Sequence, residues 1–168
     1  MPRYEMPSPL TLERLEQMLR NHPAFTDPRV VVGDATINVT AEKHSDRNLI
    51  LGSTAGTTAT LPKASGTGDK YRFTIGTLAT GNSHIIKCGS TSDVMVGAVS
   101  IIEDTSGLNT GFATTSTSDT ITMNRSTTGS VTKGEFVEVE DIANNTWAVR
   151  GVLTNSSAAA TPFSSTVN

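Results

Sequence analysis

Hydrophobic and polar positions along this chain alternate with a period of two over short runs, and that pattern dominates from residue 30 onward. Lys70-Tyr71-Arg72-Phe73-Thr74-Ile75 puts Tyr71, Phe73 and Ile75 on one face. Glu135-Phe136-Val137-Glu138-Val139-Glu140 alternates as cleanly, and Asn144-Asn145 then leads into Thr146-Trp147-Ala148-Val149-Arg150. These last two runs predict a hairpin with Trp147 in the core. Further strands are expected at Val30–Val32, Thr36–Thr40, Asn48–Leu51, Thr58–Leu61, Ser83–Cys88, Val94–Ile102 and Asp119–Asn124. Turn residues separate them at Gly33-Asp34, Ser45-Asp46-Arg47, Gly52-Ser53, 63–69, Thr80-Gly81-Asn82, Ser106-Gly107 and Thr128-Gly129-Ser130.

A helical period occurs in one place. Over Leu10–Arg20, Leu12, Leu15, Met18 and Leu19 share a face, with Glu13, Glu16, Gln17 and Arg20 on the other side. Ser8-Pro9 fits an N-cap followed by proline at the first helical position, and Pro23 and Pro28 stop the helix from continuing. A helix of this length is unstable alone in water, so its apolar face must dock on something. The pattern divides the chain into an arm and short helix (1–29), an all-β domain (30–153) and a Ser/Thr/Ala-rich tail (154–168) with Phe163 as its anchor. The expected architecture is a sandwich or jelly-roll/barrel of short antiparallel strands.

Composition agrees with this reading. Hydrophobic residues are 36%, aromatics 5% and charged residues 17% of 168 residues, and Thr and Ser fill the deficit. So thin a core favours assembly with further copies, and a homotrimer is expected. A net charge of -3 gives no basic surface for nucleic acid or an anionic membrane. The single Cys88 allows no intrachain disulfide, and no run approaches the length of a membrane span. The N-terminus lacks the apolar run of a secretory signal, so synthesis in a reducing cytoplasm is expected.

Candidate chemistry is sparse. His22, His44 and His84 lie far apart without a metal-ligand spacing, and His84, at the start of a strand, reads as a surface or edge residue. Glu103-Asp104 and Glu138-x-Glu140-Asp141 could be a calcium site or a carboxylate pair, but period two puts Glu138 and Glu140 on a solvent face. The chain has no Gly-x-Ser-x-Gly elbow, and Gly66-x-Gly68 lacks both the third glycine and the following helix of a nucleotide fingerprint. No enzyme activity, cofactor or metal is expected.

Thr60–Phe73 (TLPKASGTGDKYRF), Asn82–Lys87 (NSHIIK), Ser118–Asn124 (SDTITMN), and the Val-Glu-Val-Glu-Asp-Ile-Ala run followed by Trp147-x-Val149 together resemble small virion proteins of tailed bacteriophages. The class they are most similar to is the capsid decoration (cement) protein, which sits as trimers on the outer head surface. The resemblance covers roughly residues 36–163 and implies a fold, with the major capsid protein and further copies of the chain as partners. It implies a place on the outer capsid surface of the virion. The alternative is a β-rich trimeric fibre or spike domain that binds a receptor or glycan, for which one Trp and two Tyr offer few stacking platforms. A cell-wall hydrolase domain is the weakest reading, for want of a catalytic constellation. Leu12, Leu15, Met18, Leu19 and Phe25 are the candidate partner-binding residues. Their stripe either caps the chain's own sandwich or docks on the capsid or a neighbouring subunit.

Overall fold

Consecutive strands in the first half of the chain alternate between two sheets. β1 (Arg29–Val32), β3 (Arg47–Leu51) and β5 (Lys70–Ile75) lie side by side in one sheet, while β2 (Thr36–Asn38), β4 (Thr58–Thr60) and β6 (His84–Lys87) lie side by side in the other. Neighbours within each trio are parallel. The chain therefore winds three times around a common core, like three coils of a flattened solenoid. This description comes from a computed structural model, in which residues 11–13, 16 and 29–167 are described.

The register explains why the winding is stable. Val32, Leu51 and Ile75 stack in one column, Val30, Leu49 and Phe73 in the next, and Ile37, Ala59 and Ile86 form the facing column of the second sheet. Each coil thus buries its apolar residues against those of the coil before it. A glycine follows each member of the first column: Gly33, Gly52 and Gly76. Gly52 N–H donates to the Val32 carbonyl (2.8 Å), and Gly76 N–H to that of Leu51 (3.0 Å), so successive turns are bonded together. At Gly76 a Cβ would stand 2.3 Å from Ile50 Cγ2, so the close stacking of this turn requires glycine.

The second half closes the sandwich. β7 (Val94–Glu103), β8 (Asn109–Ala113), β10 (Phe136–Ala143) and β11 (Thr146–Asn155) complete a seven-stranded sheet in the order β1-β3-β5-β10-β11-β7-β8. β9 (Thr120–Met123) and β12 (Phe163–Ser164) complete a five-stranded sheet in the order β12-β9-β6-β4-β2. The protein is all-β and sandwich-like, as the alternation indicates. Tyr71, Phe73, Ile75 and Trp147 are fully buried, and β10 and β11 form the expected hairpin.

Four expectations need correction. The strands are not purely antiparallel: five of the ten pairings are parallel, four because arches between the two sheets bring each strand back in the same direction, the fifth where β11 lies beside β7. The segment 154–168 is not a free tail. β11 runs on to Asn155, and β12 pairs with β9 and buries Phe163. Helix is not confined to the N-terminal segment, since α1 (Ala41–His44) makes a single turn between β2 and β3. The fourth concerns β8, a strand not expected from sequence. It is an outermost strand, its side chains half-buried at best, so no apolar alternation marks it. Of the N-terminal segment, Leu12, Glu13 and Glu16 are helical and exposed, while Leu15, Met18, Leu19 and Phe25 lie outside the described residues.

Candidate interaction surface

The parity of β10 sorts its side chains into two roles. Val137 and Val139 point into the core, and Glu135 and Asp141, of the same parity, are buried with them. Phe136, Glu138 and Glu140 have the opposite parity and face outward.

The inward carboxylates clamp loops. Asp141 accepts backbone N–H bonds from Ser65, Gly66 (2.7 Å) and Thr67 (3.2 Å), and a further bond from the Thr67 hydroxyl (3.0 Å). Burial alone would raise its pKa, but these donors outweigh it and hold the carboxyl below the usual aspartate range. Asp141 is therefore a buried structural anion, while Glu138 and Glu140 take the outward face that period two assigns them. Glu135 does the same for Ser130, Val131 and Thr132. Asp93 accepts from Ala64 N–H (2.9 Å), and Asp119 holds the C-terminal residues through Thr166 (2.9 Å) and Val167 (3.1 Å). Sequence reasoning missed these clamps, although parity carried a signal for two of them: Glu135 and Asp141 bracket Val137 and Val139 on the core face.

His84 is also corrected. It is 0% exposed, and its Nδ1 accepts from Thr57 N–H (3.1 Å) while Nε2–H donates to the Thr77 carbonyl (3.2 Å). The ring ties together the turns that follow β3 and β5. Burial lowers its pKa, and the Thr77 bond opposes that shift only in part. His44, the buried last residue of α1, is lowered for the same leading reason, and its Nδ1 accepts from Thr40 N–H (2.9 Å). The Cys88 thiol is pushed up to about 12, first by burial and then by Asp93 and Asp119, which leaves it un-ionised and inert. Among the described residues no three His, Cys, Asp or Glu side chains gather to hold a metal ion, and no helix is long and apolar enough to cross a membrane.

The outer face of the seven-stranded sheet has a different character. Following the register across it, Val31, Ile50, Thr74, Phe136 and Val152 form a continuous row over five strands. Val31 is 74% exposed and Val152 38%, while Ile50 and Phe136 are half-buried. The adjacent row reads Asn48, Arg72, Glu138 and Arg150. Arg72 lies over the Phe136 ring at 3.6 Å from its centroid, and Glu138 pairs with both Arg72 (3.7 Å) and Arg150. Lys70 and Glu140 pair at 3.5 Å in the row beyond. Exposed pairs of this kind add little stability. They leave a row that is apolar except for Thr74 and bordered by charge, the make-up of a protein contact surface. None of Val31, Phe136 or Val152 was a sequence candidate, although Phe136 shares the parity of Glu138 and Glu140, a signal for the outward face that sequence reasoning left unused.

Of the sequence candidates for partner binding, Leu12 alone is described, and it is exposed. No protein-family model, curated protein or solved structure matches the chain.

Proposed function

We propose that this chain is a structural protein of a virion: a decoration protein that binds the outer surface of a tailed-phage head as an oligomer and stabilises the capsid lattice. The observation that carries the reading is the outer face of the seven-stranded sheet, with its exposed apolar row beside the Arg72–Glu138–Arg150 ladder. That face suits contact between protein chains, which an oligomer on the capsid requires. Beneath it, Asp141, Glu135, Asp93 and Asp119 hold loops in place, which fits a scaffold built for rigidity. The segments resembling cement proteins, around 60–73, 82–87 and 118–124, lie within this scaffold. Multivalency supplies the physics: a trimer that engages several capsid subunits at once needs only modest contacts at each.

The fibre or spike reading requires aromatic rings at the surface. Trp147 and Tyr71 are both fully buried, with ring centroids 5.8 Å apart, which takes away the best stacking platforms for a sugar. Mixing the purified protein with undecorated heads tests the proposal. Saturable cosedimentation and a higher rupture temperature are expected. Free protein left wholly in the supernatant at micromolar concentration would overturn it.

A further inference from the structure

We infer that the amphipathic N-terminal segment of one copy docks on the outer face of the seven-stranded sheet of a second copy, along the row Val31–Ile50–Thr74–Phe136–Val152. The inference deepens the oligomeric part of the proposed function and does not depend on the capsid.

Among the described residues, two large apolar side chains stand more than two-thirds exposed near the start of the fold. Leu12, on the helical stripe, is 73% exposed, and Val31, at the start of the sheet row, is 74% exposed. Both belong to one sequence, yet they do not cover each other within the chain. An exposed Leu12 on the predicted stripe and an exposed Val31 on the sheet face, on the same molecule, are suited to pair between copies.

Dimensions agree. From Val31 on β1 to Val152 on β11 the row crosses four strand-to-strand steps, about 19 Å at ~4.8 Å each. A helix over Leu10–Arg20 would be ~16 Å long. The segment enters the fold at Arg29 on β1, an outermost strand of the sheet among the described residues and two positions from Val31. Residues 21–28 can span at most roughly 26–29 Å. That reach is enough to carry the helix past its own sheet edge onto a subunit seated beside β1. Charge agrees as well. Glu16, exposed and four residues after Leu12, borders the stripe, while Arg72 and Arg150 border the row, with the Arg150 side chain 63% exposed. Such a contact is heterologous, one copy's segment on the next copy's sheet, and closes into a ring when the rotation allows.

Complementation between two full-length variants tests this. One variant, Leu12→Asp with Leu19→Asp, loses the donor stripe and keeps the acceptor face. The other, Val31→Asp with Val152→Asp, loses the face and keeps the stripe. Light scattering and native mass spectrometry should find the unmodified chain oligomeric and each variant monomeric, with melting temperatures close to the parent's. Mixing the two variants should give a one-to-one heterodimer that grows no further, because only one stripe and one face remain. Each aspartate introduced singly should weaken self-association about tenfold, the effect of forfeiting one Val-sized contact. A parent that stays monomeric would overturn the inference, as would variants that stay oligomeric. No heterodimer on mixing would also overturn it, and a drop in melting temperature without heterodimer would place the helix on its own chain. If the acceptor variant does not fold, Arg150→Glu in its place should still weaken association, and no change there counts against the inference.

Discussion

The coiled half of the sandwich and the half that closes it are held by different means. From β1 to β6 each element rests on the one a turn earlier: columns of Val32, Leu51 and Ile75, glycine turns bonded coil to coil, and a histidine joining two turns. From β7 to β12 no such repeat runs on: β7 pairs in parallel with the distant β11, β12 returns to β9, and buried carboxylates pin the loops. Two of those carboxylates, Asp93 and Asp141, reach across and clamp the loop between β4 and β5. Repetition stabilises stacked coils nearly for free, since every turn presents the same surface to the next. A closing segment has no such template, and directional, charge-assisted hydrogen bonds fix its place.

The largest test of this contrast is where the halves meet. Trp147 of β11 packs beside Tyr71 of β5. Trp147→Ala should cost about 3–5 kcal/mol and endanger folding of the whole domain. A thermal melt that barely shifts would mean that the halves are stable separately.

Asp141→Asn probes the clamp alone. An amide keeps one acceptor oxygen and sets an NH₂ against donors that need an acceptor, so about 2–3 kcal/mol should be lost. Hydrogen exchange should accelerate first at Ser65, Gly66 and Thr67. The pH dependence follows from the sign of the shift. A carboxyl held below its unfolded pKa contributes stability that is present above about pH 4. That stability disappears as pH falls through the folded value. The variant should therefore show a flatter decline in acid than the parent, measured by urea melts between pH 2 and 5.

Gly76→Ala probes the coils. The new methyl must displace Ile50 Cγ2, which a β-branched side chain resists, and about 1–3 kcal/mol is expected. Exchange should then quicken in β3 and β5, leaving residues 130–132 protected; uniform loosening would count against separate modes of support.

His84 gives a smaller effect, again with a definite sign. Its pKa, like that of His44, is lowered by burial. The neutral rings contribute stability above the unfolded value near 6.5, and it fades as pH falls below that. Protonated His84 would turn an N–H toward that of Thr57. Melting temperature should drop between pH 7 and 5, and His84→Gln should reduce that drop.

The smallest expected effect is Tyr71→Phe. Its hydroxyl is buried with no hydrogen-bond partner among the described residues. Removing it should change stability by less than about 1 kcal/mol, and a gain is as compatible with the packing as a small loss. A cost above 2 kcal/mol would show that the hydroxyl has a role the packing does not reveal.

Period-two alternation by itself determined the strands that carry Tyr71, Phe73, Val137, Val139 and Trp147; turn residues marked the hairpin at Asn144-Asn145, and composition marked Phe163 as the anchor of a Ser/Thr/Ala-rich segment. Those are local facts, since each side chain's face follows from the pleat and each turn from its residues. Strand direction was not legible, because a strand reads the same whether its neighbour is parallel or antiparallel. The glycines after Val32, Leu51 and Ile75 were visible but acquire meaning only when the coils are stacked. His84 and Asp141 look polar in sequence and became buried because their partners, Thr57 and the loop at 65–67, arrive from distant positions. The apolar row from Val31 to Val152 is likewise the work of tertiary structure. Its members are scattered over more than a hundred residues, and strand register alone aligns them on one face.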